Sequence, residues 1–323
     1  MEICRKDRFM RPAFVQSGDT IALICTARWL TNDQCAESVR LFAEQGLVLL
    51  PAPHVTAQHY QLAGTAEQRA HDLQWAMDHP EIKGIVIGRG GYGTVQLLDM
   101  LDLSGIKKYP KWVVGFSDVT ALLAHLNAHG ISAMHAPMPV QIPTITEGSK
   151  AALFQALKGM YRGIQWKGTS QGDWRWNEAC SLYGGNLSVI CSLLDSPSWQ
   201  PNEPYFLVIE DLDEMLYHLD RMLYAFARSK SAKGLRGVLV GGMTDFKDNT
   251  TAFGFATDNP WGFSAMEIIS NWALRFAIPL ITELPVGHQA ENYPLYLGEK
   301  AAIQRLDENT FDLTWPEHEA RCR

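Results

Sequence analysis

The first half of the chain alternates short apolar runs with amphipathic helical patterns, and this alternation limits the folds that it can adopt. The strand candidates are residues 20–25, 47–50, 84–87 and 112–114, and the helix candidates are residues 33–45, 67–77, 94–101 and the segment after Ser117. Strands that alternate with helices in this way form parallel sheets joined by crossover helices. The sequence therefore predicts an N-terminal α/β domain built on a parallel sheet.

The second half has a different pattern, with more strand candidates. Residues 144–177 show no clear periodicity, so we predict a linker at 151–177 between an N-terminal domain at 1–150 and a C-terminal domain at 178–323. Beyond the linker, the helix candidates are residues 186–194 and 211–228, and the strand candidates are residues 205–209, 237–240, 279–284 and 301–306. We expect this domain to be smaller, mixed α/β and β-rich.

Length and charge restrict the partners of the chain. Its 323 residues, 46% of them hydrophobic, supply enough apolar surface for two domains. The formal net charge is −7 and the Lys and Arg residues are scattered, which is not the pattern of proteins that bind nucleic acid or anionic membranes. A small-molecule or peptide substrate is expected instead.

Targeting segments and cysteine chemistry are not evident in the sequence. The opening MEICRKDRFMRP has charges but no apolar stretch behind them, and nowhere do about 18 apolar residues run together. We therefore expect a cytoplasmic protein with neither a signal peptide nor a membrane span. The cysteines show no C-x-x-C pair and no zinc-ligand spacing, so we assign them no chemistry; they are Cys4, Cys25, Cys35, Cys180, Cys191 and Cys322.

A glycine-rich turn, GRGGYG at residues 88–93, follows the strand candidate 84–87. Gly88, Gly90 and Gly93 satisfy the G-x-G-x-x-G fingerprint of dinucleotide-binding folds, with Asp118 downstream. Two other interpretations fit the same residues: a tight turn that needs positive φ, or a nest of backbone N–H groups that faces a reaction centre. The pattern alone leaves all three open.

A second corner, GFSD at residues 115–118, lies between a strand candidate and a helix candidate. Ser117 there projects its hydroxyl from the sheet edge, beside the N–H groups of a helix N-terminus. The G-x-S-x-G signature of hydrolase nucleophiles is not met, because Val119 stands at the second glycine position. Taken alone, the pattern favours a helix cap over a nucleophile.

Candidate acid and base residues lie in the second half. Glu210 ends a strand candidate, at the edge where the active-site groups of α/β folds collect. Asp211, Asp213 and Glu214 are expected in the first turn of the next helix, where stabilising the helix dipole explains them. His288 lies in the glycine-containing loop LPVGHQAEN, directly after another strand candidate. Glu210 and His288 are therefore the candidates for acid–base chemistry.

The other histidines are less suggestive. A surface or satisfied core role is expected for those within or at the ends of helical patterns, which are His71, His125, His129 and His218. No polar constellation is evident in the sequence around His54, His59, His79 and His318. His135, in the segment MHAPM, is kept as a candidate pocket residue.

Together these segments resemble the LD-carboxypeptidase family, the serine peptidases of murein recycling that include the microcin C7 self-immunity proteins. The likeness runs over nearly the whole chain in the order of the family, through the blocks SGDTIAL, AGTAEQRAHDL, GRGGYG, VGFSDVTALL, HAPM, YGGNL, VIEDLDEMLYHLDRML, GVLVGGM and PVGHQAENYPLYLG. Several blocks at the right separations are more specific than any one of them. The resemblance implies that the N-terminal domain has a flavodoxin-like or class I amidotransferase-like fold.

The resemblance also implies a reaction and a catalytic triad. The nucleophile of the GFSD block corresponds to Ser117, the glutamate of the IEDL block to Glu210, and the histidine of the PVGH block to His288. The serine then lies on the N-terminal domain, and the glutamate and histidine lie on the C-terminal one. The implied reaction cleaves the L,D bond of murein tetrapeptide and releases D-Ala, with no metal or organic cofactor.

Further roles follow from the same resemblance. The oxyanion hole is expected to consist of the backbone N–H groups of Asp118 and of Gly91, or Gly90 in its place. The resemblance does not identify the substrate-binding residues; the sequence itself offers Arg89, His135, Asn186 and Arg221 as candidates, with a structural role for Arg89 and a solvent-facing position for Arg221 as the alternatives. The resemblance also implies a homodimer.

Departures from the family pattern occur at CTARW, residues 25–29, at Gly88 and at Ala136. They leave the triad untouched, and we expect them to alter the substrate pocket. Two alternative functions remain at this point. One is a microcin-immunity-like hydrolase of an aminoacyl nucleotide or related amide, and the other is a dinucleotide-binding oxidoreductase that uses GRGGYG.

Overall fold

The computed structural model describes residues 9–176, 178–202 and 204–316. Cys4, His318 and Cys322 lie outside the described residues. The chain separates into two compact units. The first comprises the residues up to Tyr161 together with Ala290–Glu299, and the second comprises Arg162–Gln289 together with the residues from Lys300 onward.

The described strands follow one another along both units. In chain order they are β1 (Thr20–Ile24), β2 (Val48–Pro51), β3 (Ile82–Ile87), β4 (Trp112–Gly115), β5 (Ala133–His135), β6 (Gly163–Lys167), β7 (Ser170–Gln171), β8 (Ala179–Asn186), β9 (Tyr205–Leu212), β10 (Leu235–Thr244), β11 (Leu280–Ile281), β12 (Leu295–Leu297), β13 (Lys300–Arg305) and β14 (Thr310–Thr314).

The described helices are of two kinds. The α-helices are α1 (Asn32–Ala43), α2 (Ala66–Asp78), α3 (Ser104–Lys108), α4 (Thr120–Ala128), α5 (Glu147–Leu157), α6 (Leu187–Leu193), α7 (Leu216–Arg228) and α8 (Ala265–Arg275). The 3₁₀ helices are Thr94–Met100, Ser117–Val119, Pro139–Gln141, Lys230–Ala232 and Thr251–Phe253. None of the helices in the described ranges has both the length and the apolar character needed to cross a bilayer.

The first unit is built on a six-stranded sheet in the order β12-β5-β4-β3-β1-β2. Five of these strands pair in parallel, namely β5, β4, β3, β1 and β2. The sixth, β12, pairs antiparallel with β5 at the edge of the sheet. Apolar runs such as TIALI in β1 are buried almost throughout, as expected for parallel strands with both faces covered. This confirms the predicted parallel sheet, and it places the turns that follow β3 and β4 side by side at one edge.

The second unit is built on an eight-stranded sheet in the order β6-β14-β13-β8-β9-β10-β11-β7. Its centre, from β8 to β11, is parallel, and the outer strands on both sides pair antiparallel. The predicted mixed α/β character with additional strands is confirmed. β9 lies near the middle of the sheet, so a side chain at its carboxyl end is well placed for burial.

The unit boundaries differ from the expected ones. The predicted linker at 151–177 contains most of α5 and the strands β6 and β7. β6 alternates buried and exposed residues, with Ile164 and Trp166 inward, which is the signature of a half-buried antiparallel strand. The return of Ala290–Glu299 to the first unit depends on the pairing of β12 with β5, a contact between segments far apart in the chain.

Several helix boundaries also differ from the expected ones. The helix expected at 94–101 is a 3₁₀ helix. The helix expected at 211–228 begins only at Leu216, because β9 continues to Leu212 and a turn with positive φ at Asp213 follows. α8 was not predicted, although Ser264 and Glu267 form the capping box that marks its start.

Candidate active site

Ser117 stands at a sharp corner between β4 and α4. Its backbone has φ +62°, a conformation that costs a non-glycine residue about 1–3 kcal/mol and that concentrates at functional sites. The N-cap residues of the following 3₁₀ helix and of α4 are Phe116 and Val119, and neither makes a side-chain capping hydrogen bond. The structure therefore does not support the helix-cap interpretation of Ser117.

Gly115 makes this corner possible. A Cβ atom at this position would lie 2.8 Å from Cγ1 of Val119, closer than such atoms approach one another in proteins. Only glycine lets the start of α4 fold back onto the end of β4. The requirement for a small residue near the serine, which the G-x-S-x-G pattern places on both sides, is met here on the strand side.

The glycine-rich turn after β3 packs against Ser117. A Cβ atom on Gly90 would lie 3.2 Å from both Cβ and Oγ of Ser117, so the bare backbone of Gly90 approaches the serine closely. Gly91 has φ +129°, and a Cβ atom there would lie 2.7 Å from the side chain of Arg28. The turn therefore needs glycine at position 91 for its backbone conformation, and the lack of a side chain at Gly90 lets it lie close to Ser117.

Arg69, on α2, holds this turn in place through hydrogen bonds to backbone carbonyl groups. Its side chain is almost fully buried, and Nη1 donates to the carbonyl oxygens of Thr26, at 2.5 Å, and Gly93, at 3.0 Å. Burial lowers the pKa of this guanidinium, and the charge of Asp118 opposes that effect. The sequence did not single out Arg69, because a charged residue on an amphipathic helix is usually exposed.

Asp118 links the two corners through its side chain. Its buried carboxylate accepts a hydrogen bond from the backbone N–H of Thr94 at 2.9 Å, so the first N–H after GRGGYG is already bonded. A dinucleotide site needs free N–H groups at the start of an α-helix to hold the pyrophosphate. Here that N–H is occupied and the segment that follows is a 3₁₀ helix, which disfavours the dinucleotide interpretation.

In the second unit, Glu210 and His288 form a buried pair. Glu210, in β9, is fully buried, and its Oε2 lies 2.6 Å from Nδ1 of His288. The His288 side chain is 15% exposed. A carboxylate bonded to Nδ1 fixes the ring orientation and leaves Nε2 to accept a proton, as a general base requires.

Gly287 allows the PVGH loop to lie directly on Glu210. It has φ +96°, and a Cβ atom there would lie 2.6 Å from Cβ of Glu210. Gly241, in the neighbouring strand β10, is constrained in a similar way, because a Cβ atom there would lie 2.7 Å from the carbonyl oxygen of Val286. Gly287 thus lets the loop that carries His288 pack against Glu210, and Gly241 lets the same loop pack against β10.

A second Glu–His pair in this unit shows how much burial matters. Glu214 Oε2 lies 2.5 Å from Nδ1 of His218, but both side chains are partly exposed, at 21% and 32%. Water competes with this pair and reduces its contribution to stability. Glu210–His288 is therefore distinguished by its burial at the end of a central strand, and Glu214–His218 provides a natural control.

Asp211 plays a different part from the one predicted. It lies in β9 rather than in a helical turn, and it is 1% exposed. Its carboxylate accepts hydrogen bonds from Asn186 Nδ2 at 2.8 Å and from the backbone N–H groups of Ser188 and Leu212, each at 2.9 Å. Burial, and then the charge of Glu210, raises the pKa of Asp211 to about 7. The sequence missed this role because β9 extends beyond its apolar residues.

We expect Asp211→Asn to weaken the pH dependence of stability. Because the pKa of Asp211 is raised from 3.8 to about 7 in the folded chain, the folded state holds this proton more tightly than the unfolded state. Asp211 therefore makes its full contribution to the free energy of unfolding at pH values below its pKa in the unfolded chain. That contribution is lost as the pH rises through its pKa in the folded chain. The variant lacks this titration, although it also loses hydrogen bonds and is less stable overall.

Urea unfolding at about pH 5 and about pH 8 measures the effect, since the wild-type advantage over Asp211→Asn should shrink at the higher pH. Asp213→Asn, at an exposed position beside the same strand, is the control. An advantage that stays constant or grows with pH contradicts the prediction.

The candidate substrate-binding residues lie in different settings. Asn186 caps α6 through Oδ1 and donates to Asp211 through Nδ2, which favours a structural role. His135 is fully buried in β5 with its ring 5.4 Å from that of Phe116. Arg89 is half-buried in the glycine-rich turn, and Arg221 is exposed on α7. Of the two cationic candidates, Arg89 belongs to the first unit, where it directly precedes Gly90, and Arg221 belongs to the second.

Known proteins resemble this chain over both units. The model of the LD-carboxypeptidase N-terminal domain matches residues 21–136, and that of the LD-carboxypeptidase C-terminal domain matches residues 179–303. The murein tetrapeptide carboxypeptidase of Pseudomonas aeruginosa is 30% identical over 300 residues, which cover 88% of this chain and 92% of that protein. The microcin C7 self-immunity protein MccF of Escherichia coli is 23% identical over 260 residues, 69% of this chain and 75% of that one.

A solved structure shows the same fold. The muramoyltetrapeptide carboxypeptidase from Oxalobacter formigenes superposes with a TM-score of 0.77 at 22% sequence identity, covering 91% of this chain and 97% of that one. The two family models between them match most of the residues in both units, in the order that the sequence blocks predicted. The chain belongs to the LD-carboxypeptidase family.

Proposed function

We propose that this chain is a serine carboxypeptidase that hydrolyses the L,D bond between meso-diaminopimelate and the terminal D-Ala of murein tetrapeptide, a step of peptidoglycan recycling. The observation that carries the proposal is the buried hydrogen bond between Glu210 and His288. It is the acid–base half of a Ser–His–acid triad, and the strained corner at Ser117 supplies a nucleophile of the matching type.

The first half of the proposed reaction forms an acyl-enzyme. His288 Nε2 takes the hydroxyl proton of Ser117 as Oγ attacks the carbonyl carbon of the scissile bond. Glu210 holds the imidazole in the required tautomer and stabilises the imidazolium. The imidazolium then donates its proton to the nitrogen of D-Ala, which leaves as the free amino acid while the acyl group remains on Ser117.

The oxyanion of the tetrahedral intermediate needs backbone donors beside Ser117. We assign the N–H of Asp118 and that of Gly91, with Gly90 as the alternative to Gly91. The close approach of Gly90 to Ser117 supports a donor from this turn, since the N–H of Gly91 follows directly after it. Arg69 and the side chain of Asp118 fix the turn and thereby keep these donors in place.

The second half of the reaction releases the shortened peptide. His288 takes a proton from water, the hydroxide attacks the ester carbonyl, and the proton returns to Ser117 Oγ as the ester breaks. The sum is hydrolysis of one amide bond by one water molecule, so the reaction requires no redox or group-transfer partner.

Muropeptide hydrolysis followed by mass spectrometry tests the assignment. We expect loss of D-Ala from free murein tetrapeptide, because the acyl side of that bond is an L-configured centre, and no cleavage of a pentapeptide that ends in a D,D bond. A Ser117→Ala preparation made in parallel controls for contaminating peptidases. Equal cleavage of both substrates argues against the murein assignment.

Chelators are expected to leave the peptidase activity unchanged. The proposed catalytic groups are a hydroxyl, an imidazole and a carboxylate, and this mechanism requires no Lewis acid. Activity should be measured before and after EDTA treatment and after zinc is added back. A loss on chelation that zinc restores contradicts the Ser-centred mechanism.

Location and assembly follow from the same proposal. A recycling enzyme acts on fragments returned to the cytoplasm, so we infer a cytoplasmic location, and we infer a homodimer from the family resemblance. Cell fractionation and light scattering on the purified chain test these two inferences separately.

A microcin-immunity-like activity is the second candidate, and the likeness to MccF favours it. Such an enzyme hydrolyses an aminoacyl nucleotide or related amide with the same triad. Parallel assays with murein tetrapeptide and an aminoacyl sulfamoyl nucleoside distinguish the two, because the triad variants abolish both activities while the ratio of kcat/KM values identifies the substrate class.

A further inference from the structure

Three potential metal ligands, none of which is assigned to catalysis, meet in the first unit. His54 lies in the loop after β2, and His71 and Asp72 lie on α2. Asp72 Oδ1 is 2.8 Å from Nδ1 of His54 and 3.6 Å from Nδ1 of His71. One ligand atom from each residue lies within 4.8 Å of the other two. The sequence showed no polar partner for His54, because the fold brings in Asp72 from 18 residues away.

Asp72 is a fixed and buried carboxylate. Its side chain is 3% exposed, and its second oxygen accepts a hydrogen bond from the backbone N–H of His54 at 2.9 Å. That bond anchors the loop after β2 to α2 without using Oδ1. The oxygen that faces the two histidines is therefore held in position by the fold itself.

The two imidazoles approach this oxygen from the solvent side. The His54 side chain is 27% exposed and the His71 side chain is 70% exposed, so further coordination positions are open to water. The rings meet edge to face with their centroids 6.3 Å apart, and a nitrogen of each ring lies within 4.8 Å of the other and of the Asp72 carboxylate. Loop anchoring explains the contact of His54 with Asp72, but it does not require His71.

The two imidazole nitrogens and the carboxylate oxygen favour one class of cation. Imidazole nitrogen suits zinc and its neighbours in the first transition row, whereas magnesium and calcium prefer oxygen ligands alone. In a tetrahedral zinc site, ligand atoms bonded at about 2.0–2.2 Å lie roughly 3.3 Å apart. The observed separations of 2.8 Å and 3.6 Å lie on either side of that value.

We propose that His54, His71 and Asp72 form a binding site for a divalent transition-metal ion of the zinc type. The ion displaces the hydrogen-bonded proton between His54 and Asp72, which is released to water, and it adds His71 as a ligand and keeps water at its remaining positions. It cross-links the loop after β2 to α2, the helix that also carries Arg69. It stabilises the first unit and takes no part in the peptidase reaction, so its presence is compatible with the expected insensitivity to chelators.

Zinc titration of the full chain, without a histidine tag and after EDTA treatment and dialysis, tests the site. We expect calorimetry to show one zinc ion per chain and thermal unfolding to shift upward with zinc but not with magnesium. His71→Ala removes an exposed ligand with little risk to folding, and it should weaken zinc binding by at least about tenfold and abolish the thermal shift. His59→Ala, at an exposed histidine of the same loop region, is the matched control and should bind zinc as the wild type does.

Three outcomes overturn the proposal. They are absence of zinc binding at about 100 μM, unchanged affinity in His71→Ala, and equal loss of affinity in His59→Ala. Zinc binding that persists in His71→Ala and inhibits hydrolysis would place the ion on His288 instead. Because these readouts are affinity and thermal stability, they are independent of whether murein tetrapeptide is the substrate.

Discussion

Ser117→Ala is expected to lower kcat by roughly 10⁴-fold or more while the chain stays folded. If Ser117, His288 and Glu210 share one proton-transfer path, a single substitution already abolishes that path. A second substitution in the same path then has no further effect on kcat. The double variant Ser117→Ala with His288→Ala should therefore be scarcely slower than either single variant. Steady-state kinetics on murein tetrapeptide measures all three variants, and multiplicative losses contradict the triad.

Stability measurements separate this role from a structural one. Thr31 is a true N-cap, since its side chain accepts a hydrogen bond from the N–H of Gln34, and Thr31→Ala should cost about 1 kcal/mol of stability with kcat unchanged. Ser117→Gly should be inactive but at least as stable as the wild type, because glycine tolerates the positive φ at that corner. An active Ser117→Gly variant would assign the nucleophile to another residue.

Glu210→Gln is expected to lower kcat by about 10⁴-fold, with little change in size or fold. The amide group that replaces Oε2 is able to donate to Nδ1 of His288, which places the ring proton on Nε2 and prevents that nitrogen from accepting the serine proton. The change also removes the negative charge that stabilises the imidazolium. The measurement is the pH profile of kcat/KM together with circular dichroism of the folded variant.

Glu214→Gln is the matched control for this experiment. Glu214, just before α7, also forms a hydrogen bond with Nδ1 of a histidine, His218 on α7. Both side chains of this pair are partly exposed. We expect its replacement to change neither kcat nor its pH profile. If the two glutamate variants have equal activity, the assignment of Glu210 as the orienting carboxylate is contradicted.

The elements of the first sheet were predictable because buried parallel strands are short continuous apolar runs. β1, β3 and β4 lie within one or two residues of their predicted limits. β12 was not predictable in the same way, since it has only three residues and its partner β5 lies some 160 residues earlier in the chain. Local periodicity carries no information about such pairing.

The candidate site shows the same division between local and long-range information. The sequence marked Ser117, Glu210 and His288 as candidates, and only the resemblance assigned them to one triad. The hydrogen bond between Glu210 and His288 joins residues 78 positions apart, and the fold was needed to show it. Arg69 and Asp72 were missed for a related reason, because charged residues on a helix give no local sign that they are buried.

The return of the chain to the first unit has a consequence for dividing this protein. β12 covers the edge of β5, and the segment that carries it is bonded into the first unit through Tyr296 with Ala156 and through Glu299 with Arg11 and Ser132. A fragment that stops at Tyr161 would expose the unpaired backbone of β5, which is a template for aggregation. The two family models match consecutive segments, residues 21–136 and 179–303, yet the second of these contains β12, a strand of the first unit. Two fragments separated after Tyr161 would therefore divide the first unit between them, and that unit would be complete only when both fragments are present together.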